Sequence, residues 1–149
     1  MKDLLLAIVL FGGSIILLLY LGNNVTPFSP LFPLERVDES VILLTKYTPQ
    51  AKVNYDEYLI QKRFTDLTYI LHNNHNDFIL PVSLRYASTI GKTVELIHTH
   101  NLQEPKLKEQ LATEAKQLNT MIKNYHFVDD RKKYLIDARN YITMYQQQL

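Results

Sequence analysis

The chain has 149 residues, and its 16 Lys and Arg nearly balance its 15 Asp and Glu, which gives a formal net charge of +1. It therefore lacks the field of one sign that attracts nucleic acid, and we expect no nucleic-acid partner. The chain also contains no cysteine, which excludes disulfides, thiol chemistry and cysteine-bound metal ions.

The first element is an unbroken apolar run over residues 4–21, LLLAIVLFGGSIILLLYL. As a helix it would be about 27 Å long, close to the roughly 30 Å hydrocarbon core of a bilayer. The run is longer than the apolar part of a signal peptide, and no small-x-small cleavage site follows it. We therefore expect residues 1–21 to be a transmembrane anchor that contacts lipid through residues 4–21. The alternatives are a cleaved signal peptide and a buried helix of a soluble protein.

The orientation of this anchor follows from the short segment before it. Only Met1, Lys2 and Asp3 precede the run, and Lys2 and the terminal amine supply the positive charge there. We expect a single-pass protein of the cell membrane, with a short cytoplasmic N-terminus and the rest of the chain outside the cytoplasm.

Residues 22–33, GNNVTPFSPLFP, combine three prolines with polar turn formers and predict an extended linker. A short helix is expected next, over residues 34–46. Its apolar residues recur at spacings of three and four: Leu34, Val37, Val41 and Leu44.

Four longer helical patterns follow, and none of the segments after the linker alternates with period two. We expect helices over residues 49–72, 78–100, 106–125 and 129–149. Thr48-Pro49 predicts the first cap, the asparagine-rich residues 72–76 predict a turn, and Asp77 is a candidate cap for the next helix. Gly91 falls within a helix, and simple tolerance is preferred over close contact with a neighbouring helix.

The expected core stripes are taken from the same spacings. They are Val53, Ile60, Phe64, Leu67 and Leu71, widened by Leu59 and Ile70; Val82, Tyr86, Ile90, Val94 and Ile97; Leu107, Leu111, Ala115, Leu118, Ile122 and Tyr125; and Tyr134, Ala138, Tyr141 and Tyr145, flanked by Leu135 and Ile142. The predicted fold is all-α: an N-terminal transmembrane helix, then an antiparallel bundle of four long helices and one short helix over residues 34–149.

The passage from Ser29 to Arg36, SPLFPLER, leads into an acidic helix and then into a helix that opens at Pro49. It resembles a family of uncharacterised bacterial helical domains that follow one transmembrane helix and begin with a Ser-Pro-Leu-Tyr-Pro-Leu-Lys-Arg type motif. Here Phe32 replaces the tyrosine and Glu35 the lysine. The resemblance covers residues 29–100 and implies an exported, membrane-tethered α-helical domain with no catalytic residues to transfer.

The same passage also has a physical interpretation that does not depend on the family. Its prolines hold the entry segment extended, and its apolar side chains can dock on the bundle. This linker docking motif comprises Pro30, Leu31, Phe32, Pro33, Leu34 and Arg36.

Two other groups of side chains are candidates for function. His72, His75 and Asp77 have imidazole and carboxylate groups suited to a metal such as zinc, although histidine is also common in exposed loops. Tyrosines near the C-terminus suggest a face for protein recognition, since tyrosine offers a large contact area at little entropic cost; bundle packing is the alternative. The candidate interaction face comprises Tyr125, Tyr134, Tyr141 and Tyr145.

No motif in the chain predicts a catalytic residue or a cofactor. The adjacent acids Asp56-Glu57 and Asp129-Asp130 lie near helix starts, where the helix dipole favours them. The sequence therefore predicts an extracytoplasmic binding or assembly module without catalysis, with an unidentified envelope protein as its partner. The alternative is an envelope ligand- or metal-sensing domain that uses His72, His75 and Asp77.

Overall fold

The computed structural model describes residue 29, residues 32–126 and residues 130–149, with side chains in the first helix from Glu35 onwards. The predicted anchor at residues 4–21 lies outside the described residues, as does the predicted linker except for residues 29, 32 and 33. Within the described part of the chain, no helix is both long and apolar enough to cross a membrane.

The described residues form five α-helices and no strand, which confirms the all-α prediction for this part of the chain. The helices are α1 (Phe32–Leu44), α2 (Pro49–His72), α3 (Ile79–Thr99), α4 (Pro105–Asn124) and α5 (Arg131–Gln148), with a single 3-10 turn at Asn76–Phe78. The predicted bounds of the four long helices agree with the observed ones to within two residues.

The chain divides after Thr45 into two units, so α1 belongs to the first unit and the four long helices form the second. The predicted domain of residues 34–149 is thus divided at this point.

Helix α1 also begins earlier than expected, since Phe32 and Pro33 are already helical. Proline is tolerated there because the first turn of a helix needs no backbone N–H bond, so residues 32 and 33 belong to α1 and not to the linker.

Helix α1 exposes three of the apolar residues that predicted it, Val37, Val41 and Leu44. Val37 is 57% exposed and Leu44 is 79% exposed, whereas Glu35 is only 2% exposed. A spacing of three and four residues makes a helix with one apolar side, but it does not determine which side is covered.

The ends of the long helices are determined by local residues. Thr48 caps α2 as predicted, because its hydroxyl oxygen accepts a bond of 3.1 Å from the backbone N–H of Ala51. Asn74 and Asn101, with φ angles of 58° and 50°, follow the last turns of α2 and α3. Asparagine tolerates this left-handed conformation, which lets the following N–H groups bond back to the helix and end it. Asp77 is not a cap, since it lies within the 3-10 turn.

Consecutive long helices form two antiparallel hairpins. Phe64 and Tyr86 lie at similar distances from the turn between α2 and α3, and their ring centroids are 5.8 Å apart. In the second hairpin, Arg139 of α5 donates a bond of 2.8 Å to the side-chain oxygen of Asn119 in α4. Each pair brings together residues on either side of a turn, which requires that the helices run in opposite directions.

The two hairpins are joined through α3 and α5, which pack side by side along much of their length. Near their starts, the guanidinium of Arg131 donates a bond of 2.6 Å to Asp77. Further along, Tyr145 lies against Gly91. In both pairs the partners lie at matching distances from the starts of their helices, so α3 and α5 run in the same direction.

A single hydrophobic core holds the four long helices together, and residues 103–149 contribute to it. The stripes predicted for α3 and α4 are confirmed, with Ile122 and Tyr125 only partly buried. The stripe predicted for α5 is displaced: Leu135, Ala138 and Ile142 are its buried centre, and the tyrosines flank it. Leucine and isoleucine bury no hydroxyl, so they occupy the centre of the interface more readily than tyrosine.

Gly91 marks a close approach between α3 and α5, which corrects the preference for simple tolerance. A Cβ atom at this position would lie 2.7 Å from the hydroxyl oxygen of Tyr145 and 3.1 Å from its Cζ. The tyrosine ring therefore occupies the space that a side chain at residue 91 would need.

The cost of Gly91→Ala should therefore depend on Tyr145. Alanine is favoured over glycine in a helix by about 1 kcal/mol, so the substitution should stabilise a chain that already carries Tyr145→Ala by about that amount. With Tyr145 present the ring must move aside, and we expect this cost to cancel the gain, which is a coupling of about 1 kcal/mol between the two positions. Unfolding of the four variants of this cycle in detergent micelles measures the coupling. Equal effects of Gly91→Ala on stability with and without Tyr145 would contradict the contact between Gly91 and the tyrosine ring.

Candidate functional site

The candidate site is a groove between α2 and α4, the two neighbouring helices that contact each other least. These helices meet near their starts, where the side-chain amide of Gln50 donates a hydrogen bond to Glu104. Beyond this point they leave an open groove. Since Gln50 and Glu104 both lie at helix starts, α2 and α4 run in the same direction.

The middle of this groove, here called the polar groove, has a volume of about 540 Å³. Amide and hydroxyl side chains make up most of its walls. The lining residues from α2 are Gln61, Phe64, Thr65 and Thr68, and the lining residues from α4 are Lys106, Glu109, Gln110, Thr113, Glu114 and Gln117. The polar groove therefore offers hydrogen-bond donors and acceptors from both walls.

The groove continues into a more apolar cleft between the last turns of α2 and α4, here called the end cleft. Thr65 and Thr68 line both parts, so the two are continuous. The end cleft has a volume of about 620 Å³. Its other lining residues are Tyr69, Leu71, His72, Asn74, Thr120, Met121, Asn124, Tyr125 and His126.

A buried acid lies at the base of the polar groove. Glu114 is 5% exposed, accepts a hydrogen bond from the hydroxyl of Tyr86 in α3, and accepts a second, of 2.8 Å, from the amide of Gln110. Burial raises the pKa of Glu114, and the two hydrogen bonds partly oppose that change. Burial, and then the nearby charge of Glu114, raises the pKa of Tyr86 well above its usual value.

A second acid lies towards the starts of the same helices. Burial raises the pKa of Glu57, and the negative charge of Glu104 raises it further, while Lys106 acts in the opposite direction. Glutamates thus lie at two positions along the groove between α2 and α4, one towards the helix starts and one near the middle of α4. Charged carboxylates are costly to desolvate, which disfavours tight packing of these two helices.

The four tyrosines of the candidate interaction face do not form one exposed surface. Tyr125 lines the end cleft, while Tyr134 and Tyr145 pack partly buried against the core. Tyr141 is 47% exposed. Tyr125 is therefore the one member of this set that lines the groove.

The structure does not bring the candidate metal ligands together. His72, His75 and Asp77 are all exposed, and Asp77 is paired with Arg131. Among the described residues, no three histidine or acidic side chains are placed to hold a metal ion. His72 instead lines the end cleft with His126, a residue that the sequence pattern did not single out.

The linker docking motif is only partly within the described residues. Pro30 and Leu31 lie outside them, and for Phe32, Pro33 and Leu34 the backbone alone is described, as the start of α1. Arg36 is exposed. The docking of this motif stays a prediction.

Sequence reasoning missed the walls of the groove, although α4 carries a signal for them. Gln110, Thr113 and Gln117 recur on one side of the helix, between the buried stripe and the charged side. A fully solvated helix face usually carries lysine and glutamate at such positions. A run of uncharged polar residues there indicates a partly enclosed surface.

No protein-family model matches the chain, and no curated protein or solved structure is significantly similar to it. The resemblance based on Ser29 to Arg36 therefore stays a prediction.

The raised pKa of Glu114 predicts a pH-dependent effect of Glu114→Gln. Between the ordinary glutamate value of 4.5 and the higher value in the folded chain, the folded state binds more protons than the unfolded state. The contribution of Glu114 to stability is therefore greatest below 4.5 and is lost as the pH rises through the folded-state pKa.

Since glutamine stays neutral, Glu114→Gln should become more stable relative to the unmodified chain as the pH rises. Denaturant unfolding of both chains from about pH 4 to about pH 8 measures the difference. Glu57 has the same direction of shift and is present in both chains, so its effect cancels. A stability difference between the two chains that stays constant with pH would contradict the raised pKa of Glu114.

Proposed function

We propose that the chain is a single-pass, membrane-anchored extracytoplasmic module that binds or assembles with a protein of the cell envelope and performs no catalysis. Residues 4–21 are its anchor in the lipid bilayer, the proline-rich residues that follow are its linker, and the helices are its binding part. The proposal includes no cofactor and no nucleic-acid partner.

The observation that supports this function best is the open groove between α2 and α4. Its polar part presents side-chain amides and hydroxyls, which can donate to and accept from the backbone of a bound polypeptide. Its end cleft adds apolar and aromatic area. A surface with polar groups beside an aromatic, uncharged centre is typical of protein interfaces.

The charges of the groove also favour a protein partner over a nucleic acid or a lipid surface. Among the described residues that line the polar groove there is one lysine, Lys106, against the acids Glu109 and Glu114. Polyanions and anionic lipids are bound by clusters of Lys and Arg. This lining is suited to a partner of low net charge.

The proposed topology can be tested with single cysteines, because the natural chain has none. Lys116→Cys places an exposed thiol on α4, and Asp3→Cys places one before the apolar run while Lys2 is kept. In spheroplasts, a membrane-impermeant maleimide should label Lys116→Cys directly and Asp3→Cys only after lysis. Labelling of Asp3→Cys from outside, or protection of Lys116→Cys before lysis, would refute the topology.

The binding function can be tested with a photoreactive phenylalanine derivative placed in the two walls of the groove. Gln61 in α2 and Thr113 in α4 are exposed groove positions, and Ser88 is a matched exposed position on α3. In intact membranes, Gln61 and Thr113 should give an adduct with the same protein, and Ser88 should not. The proposal fails if no adduct forms from either wall, or if Ser88 gives the same adduct in equal yield.

A further inference from the structure

Helix α1 has an exposed apolar side. Val37, Val41 and Leu44 are 57%, 41% and 79% exposed, and their spacings of four and three residues place them on one side of the helix. These three residues are here called the apolar strip, and Leu43, also exposed, flanks it. Large apolar side chains in contact with water are unfavourable, so an apolar phase that covers the strip would stabilise α1.

The hydroxyl groups beside the apolar strip are compatible with a lipid surface. The hydroxyl of Ser40 donates a bond of 2.8 Å to the backbone carbonyl of Arg36, and that of Thr45 donates a bond of 2.6 Å to the carbonyl of Ile42. Both donors are thus satisfied within the helix and need no partner from water. Covering this side of α1 with lipid would therefore leave no hydroxyl donor unsatisfied.

The charges of α1 also favour contact with a bilayer on this side. Glu35 and Asp38 lie on the other side of the helix and are buried. Arg36 is exposed beside the apolar strip, where its guanidinium can bind a lipid phosphate while its methylene groups follow the apolar surface. The apolar strip therefore has a cation at its edge and no acid within it.

The proposed anchor keeps a bilayer within reach of α1. Residues 22–31 separate the apolar run from Phe32, the first residue of α1, and a chain of this length spans at most about 35 Å. A helix tethered this closely meets the lipid surface at a high effective concentration, so a short apolar strip is enough to hold it there. With 13 residues, and a length of about 20 Å, α1 can lie along the bilayer but is too short to cross it.

We propose that α1 lies along the outer surface of the bilayer in which the chain is anchored, with the apolar strip at the boundary between the headgroups and the acyl chains. The inference rests on the proposed anchor and topology, and it adds a second contact with lipid. Lipid is favoured over a protein cover because the anchor already holds it beside α1, so no second molecule has to be recruited. The chain after α1 then begins at the membrane surface and not at the end of a free tether.

Nitroxide depth measurements test this contact on the full chain, in nanodiscs of phosphatidylcholine and phosphatidylglycerol. Because the natural chain has no cysteine, single labels can be attached at Val37, Val41 or Leu44, and at Ser88 as an exposed control position on α3. Power saturation with oxygen and with a water-soluble nickel complex distinguishes lipid from water. The labels of the apolar strip should lie about 5 to 10 Å deep in the bilayer, and the Ser88 label should lie in water.

The substitution Val41→Glu should remove the contact, because a carboxylate in the apolar strip would lose hydration on entering lipid. A label at Leu44 should then become accessible to the nickel complex. Glutamate favours a helix at least as strongly as valine, so the helix itself should persist. The matched Ser88→Glu should leave the depth of the Leu44 label unchanged.

The inference is overturned if the strip labels lie in water, or if they are shielded from both reagents, which indicates a cover of protein. Spin–spin broadening that disappears on dilution with unlabelled chain would identify that protein as a second copy. The inference is also overturned if the Ser88 label lies equally deep, or if Val41→Glu leaves the depth of the Leu44 label unchanged.

The maleimide experiment separates this inference from the proposed topology. Strip labels in water, combined with protection of Asp3→Cys and labelling of Lys116→Cys, would refute the lipid contact of α1 alone. Strip labels in lipid, combined with labelling of Asp3→Cys from outside, would refute the topology instead.

Discussion

The contact between α3 and α5 is the interaction on which the groove depends. Two helices that run in the same direction pack closely here because Gly91 leaves space for the ring of Tyr145. This contact joins the two hairpins through their second helices. Their first helices, α2 and α4, are then left as neighbours with little direct packing.

The polar groups between α2 and α4 are consistent with an interface that stays open. Glu57 and Glu114 both have raised pKa values because burial penalises their charged forms. Closing the groove further would desolvate the Glu57 carboxyl and the surrounding amides more completely, which costs free energy. The bonds from Tyr86 and Gln110 stabilise Glu114 at its base without filling the space above it.

The sequence predicts the helices and much of the core, because both depend on local spacing. The buried stripes that include Tyr86 in α3 and Leu118 in α4 follow from repeats of three and four residues. The groove depends on which helices become neighbours, and no local pattern specifies that. The partial burial of Tyr145 has the same origin, since it requires a glycine on a different helix. For α1, the apolar spacing predicts the helix but not which of its sides is exposed.

The divergence of α2 and α4 is the central claim, and the distance between them along the groove tests it most directly. In this cysteine-free chain, spin labels can be attached at Gln50 and Glu104, near the closed end, or at Thr68 and Thr120, in the end cleft. Pulsed electron paramagnetic resonance should give a longer mean distance for the second pair. Equal distances, or a shorter one between labels at Thr68 and Thr120, would show that the two helices pack together along their length and that the groove does not exist.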